Sequence, residues 1–182
     1  MEYRIRDLDE RCDEEIATVT RWCMQTVLST IPEFENSEEK ARSVLPNFSF
    51  DQMNAMFRAD LLRPTHRFLV AVDPDGQLVG HSMISRRRTP EGEKFGYFFT
   101  RYVLPEHRRR GVGAQLMAEA TSWFAEYEPA FLLAHTHATN APLQRLFAAC
   151  GFWEVQRTET PWPHITLRMD CEPPAAPRVG GE

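Results

Sequence analysis

Three runs with strand character follow one another at turn-length spacing, at residues 66–73 (HRFLVAVD), 77–88 (QLVGHSMISRRR) and 93–104 (EKFGYFFTRYVL). Pro74, Asp75 and Gly76 form a tight turn between the first two. Runs of this kind, rich in β-branched and aromatic residues and bounded by turn residues, pair with their neighbours as an antiparallel meander. A sheet must bury at least one face, so the helix-period segments before and after the meander are its cover.

Before the meander, residues 3–8 alternate as a first strand. Residues 13–30 repeat Ile16, Val19, Cys23, Val27 and Leu28 at helical spacing, and Asp13, Glu14 and Glu15 favour the helix start. Residues 31–47 are broken by Pro32 and Pro46 and read as a loop with a short helix. Ser49 is an N-cap for a helix that runs toward Arg63 and stops before Pro64.

After the meander, residues 111–127 are helical, with Val112, Leu116, Ala120, either Trp123 or Phe124, and Tyr127 on one face. Residues 130–137 are a buried strand. Residues 140–151 form a helix with Asn140 as N-cap, Pro142 in its first turn and Gly151 past its end. Residues 152–159 and 164–170 are the last strands. The expected class is α+β with a mostly antiparallel sheet, in one domain over residues 1–170. Residues 171–182 lack apolar content and are expected to be a disordered tail.

The formal net charge of −5 argues against a general nucleic-acid binder. Positive charge is nevertheless clustered, at Arg86–Arg88 and at Arg108–Arg110. An acidic chain with local basic spots suits a small anionic ligand. The run Arg86–Arg88, at the end of a hairpin strand, reads as a solvated edge that discourages strand pairing, with contact to a ligand as the alternative. Cys12, Cys23, Cys150 and Cys171 have no metal-type spacing, so free thiols, no metal and a reducing, cytoplasmic compartment are expected. The start, MEYRIRDLDE, has no apolar core of a secretory signal, and no apolar run is long enough to span a bilayer. No membrane and no nucleic-acid partner are expected.

The turn from Arg108 to Gly113 (RRRGVG) joins the meander to a helix. A helix N-terminus leaves backbone N–H groups without partners and carries partial positive charge. Glycines let a ligand oxygen come close, and an arginine adds charge-assisted hydrogen bonds. All three suit a pyrophosphate. The same residues also fit a plain glycine-containing loop with solvated arginines.

The surroundings point further. Residues 102–114 read YVLPEHRRRGVGA, and residues 140–152 read NAPLQRLFAACGF. The first resembles the R/Q-x-x-G-x-G/A motif of the GCN5-related N-acetyltransferase (GNAT) family, which follows a strand ending in V-x-P. The second resembles that family's N-x-x-A-x-x-L-Y-x-x-x-G-F. Asn140, Leu146, Gly151 and Phe152 match, while Leu143 and Phe147 depart. The resemblance implies the acyl-CoA N-acyltransferase (GNAT) fold, a sheet of about seven strands flanked by about four helices and splayed between the fourth and fifth strands.

The resemblance also implies a function. The donor is acetyl-CoA, with its pyrophosphate on the backbone of Arg109, Arg110, Gly111, Val112, Gly113 and Ala114 and the Arg108 side chain nearby. The backbone of Val103 and the side chain of Asn140 would hold the pantetheine arm. The family often places a tyrosine acid where this chain has Phe147, which cannot donate a proton. Members that acetylate ribosomal-protein N-termini carry a catalytic Glu where this chain has His135. His135 and His137, on one face of their strand, are the candidate bases.

The acceptor would lie against the loop after the first helix and the last hairpin, which contribute Glu33, Phe34, Glu35, Glu159, Trp162 and His164. Aromatics among carboxylates could hold a cationic amine of a small molecule or peptide. Arg101, on a strand where the family has an apolar residue, either meets an acceptor carboxylate or snorkels to solvent. Dimers are frequent in the family, so a homodimer is a further expectation. Two functions follow: an active N-acetyltransferase attacking acetyl-CoA directly in a ternary complex, or a non-catalytic acyl-CoA-binding sensor, which Phe147 favours.

Overall fold

The meander forms as read, and a computed structural model of the chain describes residues 2–160 and 162–171. Its strands are β2 (His66–Val72), β3 (Leu78–Arg88) and β4 (Lys94–Val103). The Asp73 carboxylate closes the first turn by accepting from the N–H groups of Asp75 (3.0 Å) and Gln77 (2.9 Å). β1 (Arg4–Asp7) adds antiparallel to β2. On the other side, β5 (Phe131–His137) lies parallel to β4, and β7 (His164–Asp170) and β6 (Trp153–Thr158) complete a sheet ordered β1-β2-β3-β4-β5-β7-β6.

Helices cover both faces. α1 (Asp13–Thr30) and α3 (Phe50–Leu61) pack one side, where Ile16, Val19, Cys23 and Phe57 meet Phe68, Val70 and Met83. α4 (Val112–Ala125) packs the other, with Leu116, Ala120 and Phe124 buried at i, i+4 spacing. α5 (Ala141–Ala149) joins that face through Phe147. Between α1 and α3, Ser37 caps α2 (Glu38–Val44) by accepting from the Lys40 N–H. This is the short helix expected in the proline-broken loop, and it brings the α-helices among the described residues to five. No helix among the described residues is long and apolar enough to cross a membrane. The tail expected at residues 171–182 lies, beyond Cys171, outside the described residues.

Gly96 shows what the packing demands. A Cβ there would sit 2.5 Å from the Leu132 side chain and 2.7 Å from Phe124. Only glycine lets β4 lie this close to β5 and α4.

The expected solvated edge at Arg86–Arg88 holds on one side only: these residues pair with Gly96, Phe95 and Lys94 of β4, whereas β2 pairs with β3 no further than His66 opposite Ser85. Arg86 folds over the Trp123 ring at 4.0 Å and bonds the Trp123 carbonyl and Glu126.

Candidate active site

β4 and β5 pair over four residues only, from Phe95 opposite Phe131 to Phe98 opposite Ala134. Beyond that point the strands part. The end of β4 keeps only β3 as partner, and His135–His137 keep only β7. A bulge sits at the parting. Phe98 faces Ile84 and Thr100 faces Met83, so Phe99 has no partner across β3. The bulge resets the alternation of side chains. Arg101 therefore shares its face with Phe98, 4.8 Å from that ring, and not with Phe99 as continuous alternation implies.

The wedge between the strands holds two connected cavities. The larger, of about 590 Å³, runs along the end of β4 to the start of α4. Leu104 N–H donates to the Val79 carbonyl at 2.9 Å, which makes Val103, opposite Gly80, a non-hydrogen-bonded position in the ladder. Its own N–H and C=O thus face the wedge, and its carbonyl accepts from Arg108 Nε at 2.9 Å. An extended amide chain laid here meets strand-like backbone partners.

The glycine turn closes this cavity. Arg109 (φ 61°) and Gly111 (φ 86°) both take left-handed conformations, which aim the turn back into α4. The first intrahelical bond is Gln115 N–H to the Gly111 carbonyl, at 3.0 Å. The amides of Val112, Gly113 and Ala114 precede it, and no side chain caps the helix. Val103, Arg108, Arg109, Gly111, Gly113, Ala114 and Asn140 line the cavity. Arg110 is exposed and Val112 is buried, and neither side chain is part of the wall. Arg145 of α5 and Thr26, Ser29 and Thr30 of α1 also line it. Sequence reasoning missed these four, although Arg145 stands one helical turn beyond Pro142. With Arg101 the wall holds four arginines and, among the described residues, no carboxylate. Free amides at a helix start beside arginines fit phosphate oxygens.

The second cavity, of about 340 Å³, continues toward α1 and β7. Thr26, Thr30, Arg101, Asn140 and Leu143 belong to both cavities. Asn140 is fixed there by two bonds, with its Oδ1 accepting from Leu143 N–H (3.4 Å) and its Nδ2 donating to Thr136 Oγ1 (3.0 Å).

The two candidate histidines differ. His135 Nδ1 lies 3.1 Å from the Tyr97 hydroxyl. Partial burial, helped by neighbouring His164 and Arg87, holds its pKa below the ordinary imidazole value. Neutral imidazole is a base at pH 7. Burial raises the Tyr97 pKa, so that phenol stays protonated. His137 is buried, and its Nδ1 accepts from the Thr139 N–H at 3.1 Å. That bond assigns the proton of neutral His137 to Nε2, which sits 3.4 Å from Glu33 Oε2 without hydrogen-bond geometry. In this tautomer His137 has no free lone pair for an amine.

Arg101 does not snorkel. It is 9% exposed, and its Nη2 donates to Ser82 Oγ at 3.2 Å. Met117 Sδ lies 3.8–3.9 Å from the Nη atoms, and the Phe147 ring centre is 5.0 Å away. Its Nε has no partner, and no carboxylate among the described residues reaches the guanidinium. Burial lowers its pKa to about 10.

The acceptor-loop residues are only partly brought together. Trp162 and His164 line the smaller cavity, with His164 Nδ1 bonded to the Trp162 carbonyl at 3.0 Å. Phe34 is a core residue at 2% exposure, under the edge of Trp162 at 5.5 Å. Glu33 reaches only His137, Glu35 pairs with Lys40 at 2.5 Å, and Glu159 is exposed outside the cavity. The expected ring of carboxylates is not assembled. Phe147 is buried against Phe98 and Phe152 and lines neither cavity. Sequence reasoning also missed a network in the wall of the smaller cavity, where Thr100 and Cys23 back onto buried His81, whose Nε2 lies 2.8 Å from Thr100 Oγ1 and 3.4 Å from Cys23 Sγ. Burial brings the His81 pKa down to about 3 and pushes the Cys23 thiol up to about 12, so this pair is inert. Among the described residues no group of three or more His, Cys, Asp or Glu side chains is placed to hold a metal ion.

Known proteins share this architecture. Aminoglycoside N(6')-acetyltransferase type 1 of Serratia marcescens is 28% identical over 116 residues, which cover 62% of this chain and 80% of that protein. The Klebsiella aerogenes protein of the same name is 32% identical over 90 residues, 48% of this chain and 59% of its own length. The solved PaiA N-acetyltransferase of Thermoplasma acidophilum, in complex with coenzyme A, shares the fold at a TM-score of 0.70 and 16% identity, over 94% of this chain and all of that one. The model of the acetyltransferase (GNAT) family matches residues 31–152. The matched span contains the meander, the splay, the glycine turn and α5, and the chain belongs to the GNAT family.

Proposed function

We propose that this protein transfers an acetyl group from acetyl-CoA to the primary amine of a small molecule or peptide, by direct attack in a ternary complex. The observation that carries this reading is the meeting of two cavities in the β4–β5 wedge. One offers strand-like backbone and a basic helix start, and the other offers a neutral histidine. The donor supplies a thioester. The chain's residues do the rest. The backbone of Val103 and the side chain of Asn140 align the pantetheine amides, and the turn from Arg108 to Ala114 holds the pyrophosphate. With the Nδ1–H of His135 donating to the Tyr97 oxygen, Nε2 is left to take the amine's proton.

The names of the two relatives, both aminoglycoside N(6')-acetyltransferases, support a primary amine as acceptor. A second reading, a non-catalytic acyl-CoA sensor, draws on Phe147, which puts no hydroxyl at the site. Thiol release from acetyl-CoA, measured against a panel of amines, separates them. Turnover with any amine supports the enzyme, and binding of acetyl-CoA without turnover supports the sensor.

A further inference from the structure

Charge in the smaller cavity is one-sided. Among the described residues its wall holds one permanently charged group, Arg101, and no carboxylate. A polycationic acceptor would find no carboxylate in that wall, Glu33 coming near it only beside His137 Nε2 at 3.4 Å, and would enter against a guanidinium. Arg101 itself lacks a counter-ion. It is buried, with one neutral hydroxyl as hydrogen-bond partner, the single sulfur of Met117, the Phe98 and Phe147 rings at 4.8 and 5.0 Å, and an unpartnered Nε; none of these is an anion. Burying a cation without an anion is costly, so such a site is completed by an anion that arrives with a ligand. The donor end that reaches this point is a neutral thioester and brings no standing charge. The anion therefore comes with the acceptor.

Position sets the distance. Arg101 stands where the two cavities join, which is also where the acceptor amine must meet the thioester. Anion and amine must then lie close together within one small molecule. The cavity, at about 340 Å³, is at the small end of the range for ligand sites. We propose that the acceptor is an amino acid or a close analogue, with a carboxylate one or two carbons from the reacting amine, held by Arg101. This rests on the acetyltransferase reading above and goes beyond it by naming the acceptor class.

The test uses the full chain with acetyl-CoA and thiol release. Each amino acid is compared with its own carboxamide, alongside spermidine and an aminoglycoside. The expected result is a kcat/KM about 10- to 100-fold higher for the acid than for its amide, the size of a lost charged hydrogen bond. The amide's amine loses its proton more readily, so this preference runs against intrinsic reactivity. Arg101→Met should abolish the preference for acid over amide, and Arg101→Lys should keep part of it. The wild-type comparison of acid with amide stands even where a variant misfolds. Equal rates for acid and amide, or preference for the polycations, overturn the inference and leave the acetyltransferase standing. Binding of acetyl-CoA with no turnover of any amine overturns both.

Discussion

The Tyr97 hydroxyl sits 3.1 Å from Nδ1 of His135, with the two rings edge to face at 5.4 Å. They reach each other across the splay, one from β4 and one from β5, just as the strands part. Arg87 lies 4.3 Å over the same Tyr97 ring and adds positive charge beside the imidazole. Removing His135 should therefore remove a base, and with it a feature of the pH profile. We expect His135→Ala to lower kcat/KM by about 100-fold, the low end of general-base effects. In the wild type the acid limb should fall below the ordinary imidazole value, because the His135 pKa is held down. Unchanged kcat/KM for the variant across pH 6–9 would exclude the role.

His81 sets a second pH dependence, in stability. Its folded pKa of about 3 lies below the ordinary 6.5, so the folded state binds fewer protons than the unfolded chain. Stability is fully present above pH 6.5 and is lost as the pH falls toward 3. His66, also held low by burial, acts in the same direction. Thermal melts from pH 7 to 4.5 should show a declining Tm, with a shallower slope for His81→Gln. An equal slope in both proteins would refute the assignment.

Gly96 should tolerate no side chain. Its missing Cβ would overlap Leu132 and Phe124. Gly96→Ala is expected to cost about 1–3 kcal/mol in urea unfolding, as overpacking does. A neutral result would mean that β4 and α4 separate freely.

The glycine turn should report on donor binding. Gly111→Ala forces a side chain to φ 86° at the entry of α4, for about 1–2 kcal/mol of strain. Arg108→Ala leaves the backbone intact and removes one charge. We expect Arg108→Ala to raise the acetyl-CoA KM several-fold with little change in kcat, and the gap to narrow at high salt. A salt-independent effect would place Arg108 outside the phosphate site.

Asn140 has two jobs that can be separated. Asn140→Asp keeps an N-cap oxygen for Leu143, and Asn140→Ala loses it. The alanine variant should lose about 1 kcal/mol of stability and the aspartate variant less. Both should bind acetyl-CoA more weakly, because neither retains the side-chain amide. Isothermal titration distinguishes the two effects.

Local patterns in the chain carried most of this architecture. The bounds of α1 follow from its apolar spacing and acidic first turn, and β7 from simple alternation. The glycine turn was legible because a helix start, glycine and arginine each carry a local physical meaning. What escaped was set by distant contacts. The bulge at Phe99 depends on how β3 and β4 register, and no residue signals it. It moved Arg101 from one face of β4 to the other and so from a snorkelling surface cation to a buried one. The loss of Phe34 to the core and of Glu35 to Lys40 depends on how the loop before α2 packs. Arg86–Arg88 was read correctly as a strand end, but charge alone did not show that β4 pairs it on one side.

The four-pair seam between β4 and β5 makes this molecule resemble a book with a short spine. One leaf holds β1 to β4, the other β5, β7 and β6. Backbone groups along Val103 lie open on the lip of the gap. A guest chain that pairs there lengthens the spine, and anything bound only by the closed book stabilises it by mass action. If the leaves open along this line when no guest is bound, limited proteolysis should be faster without the guest than with it. Survival of the protein in a cell would then follow the supply of the molecule it consumes.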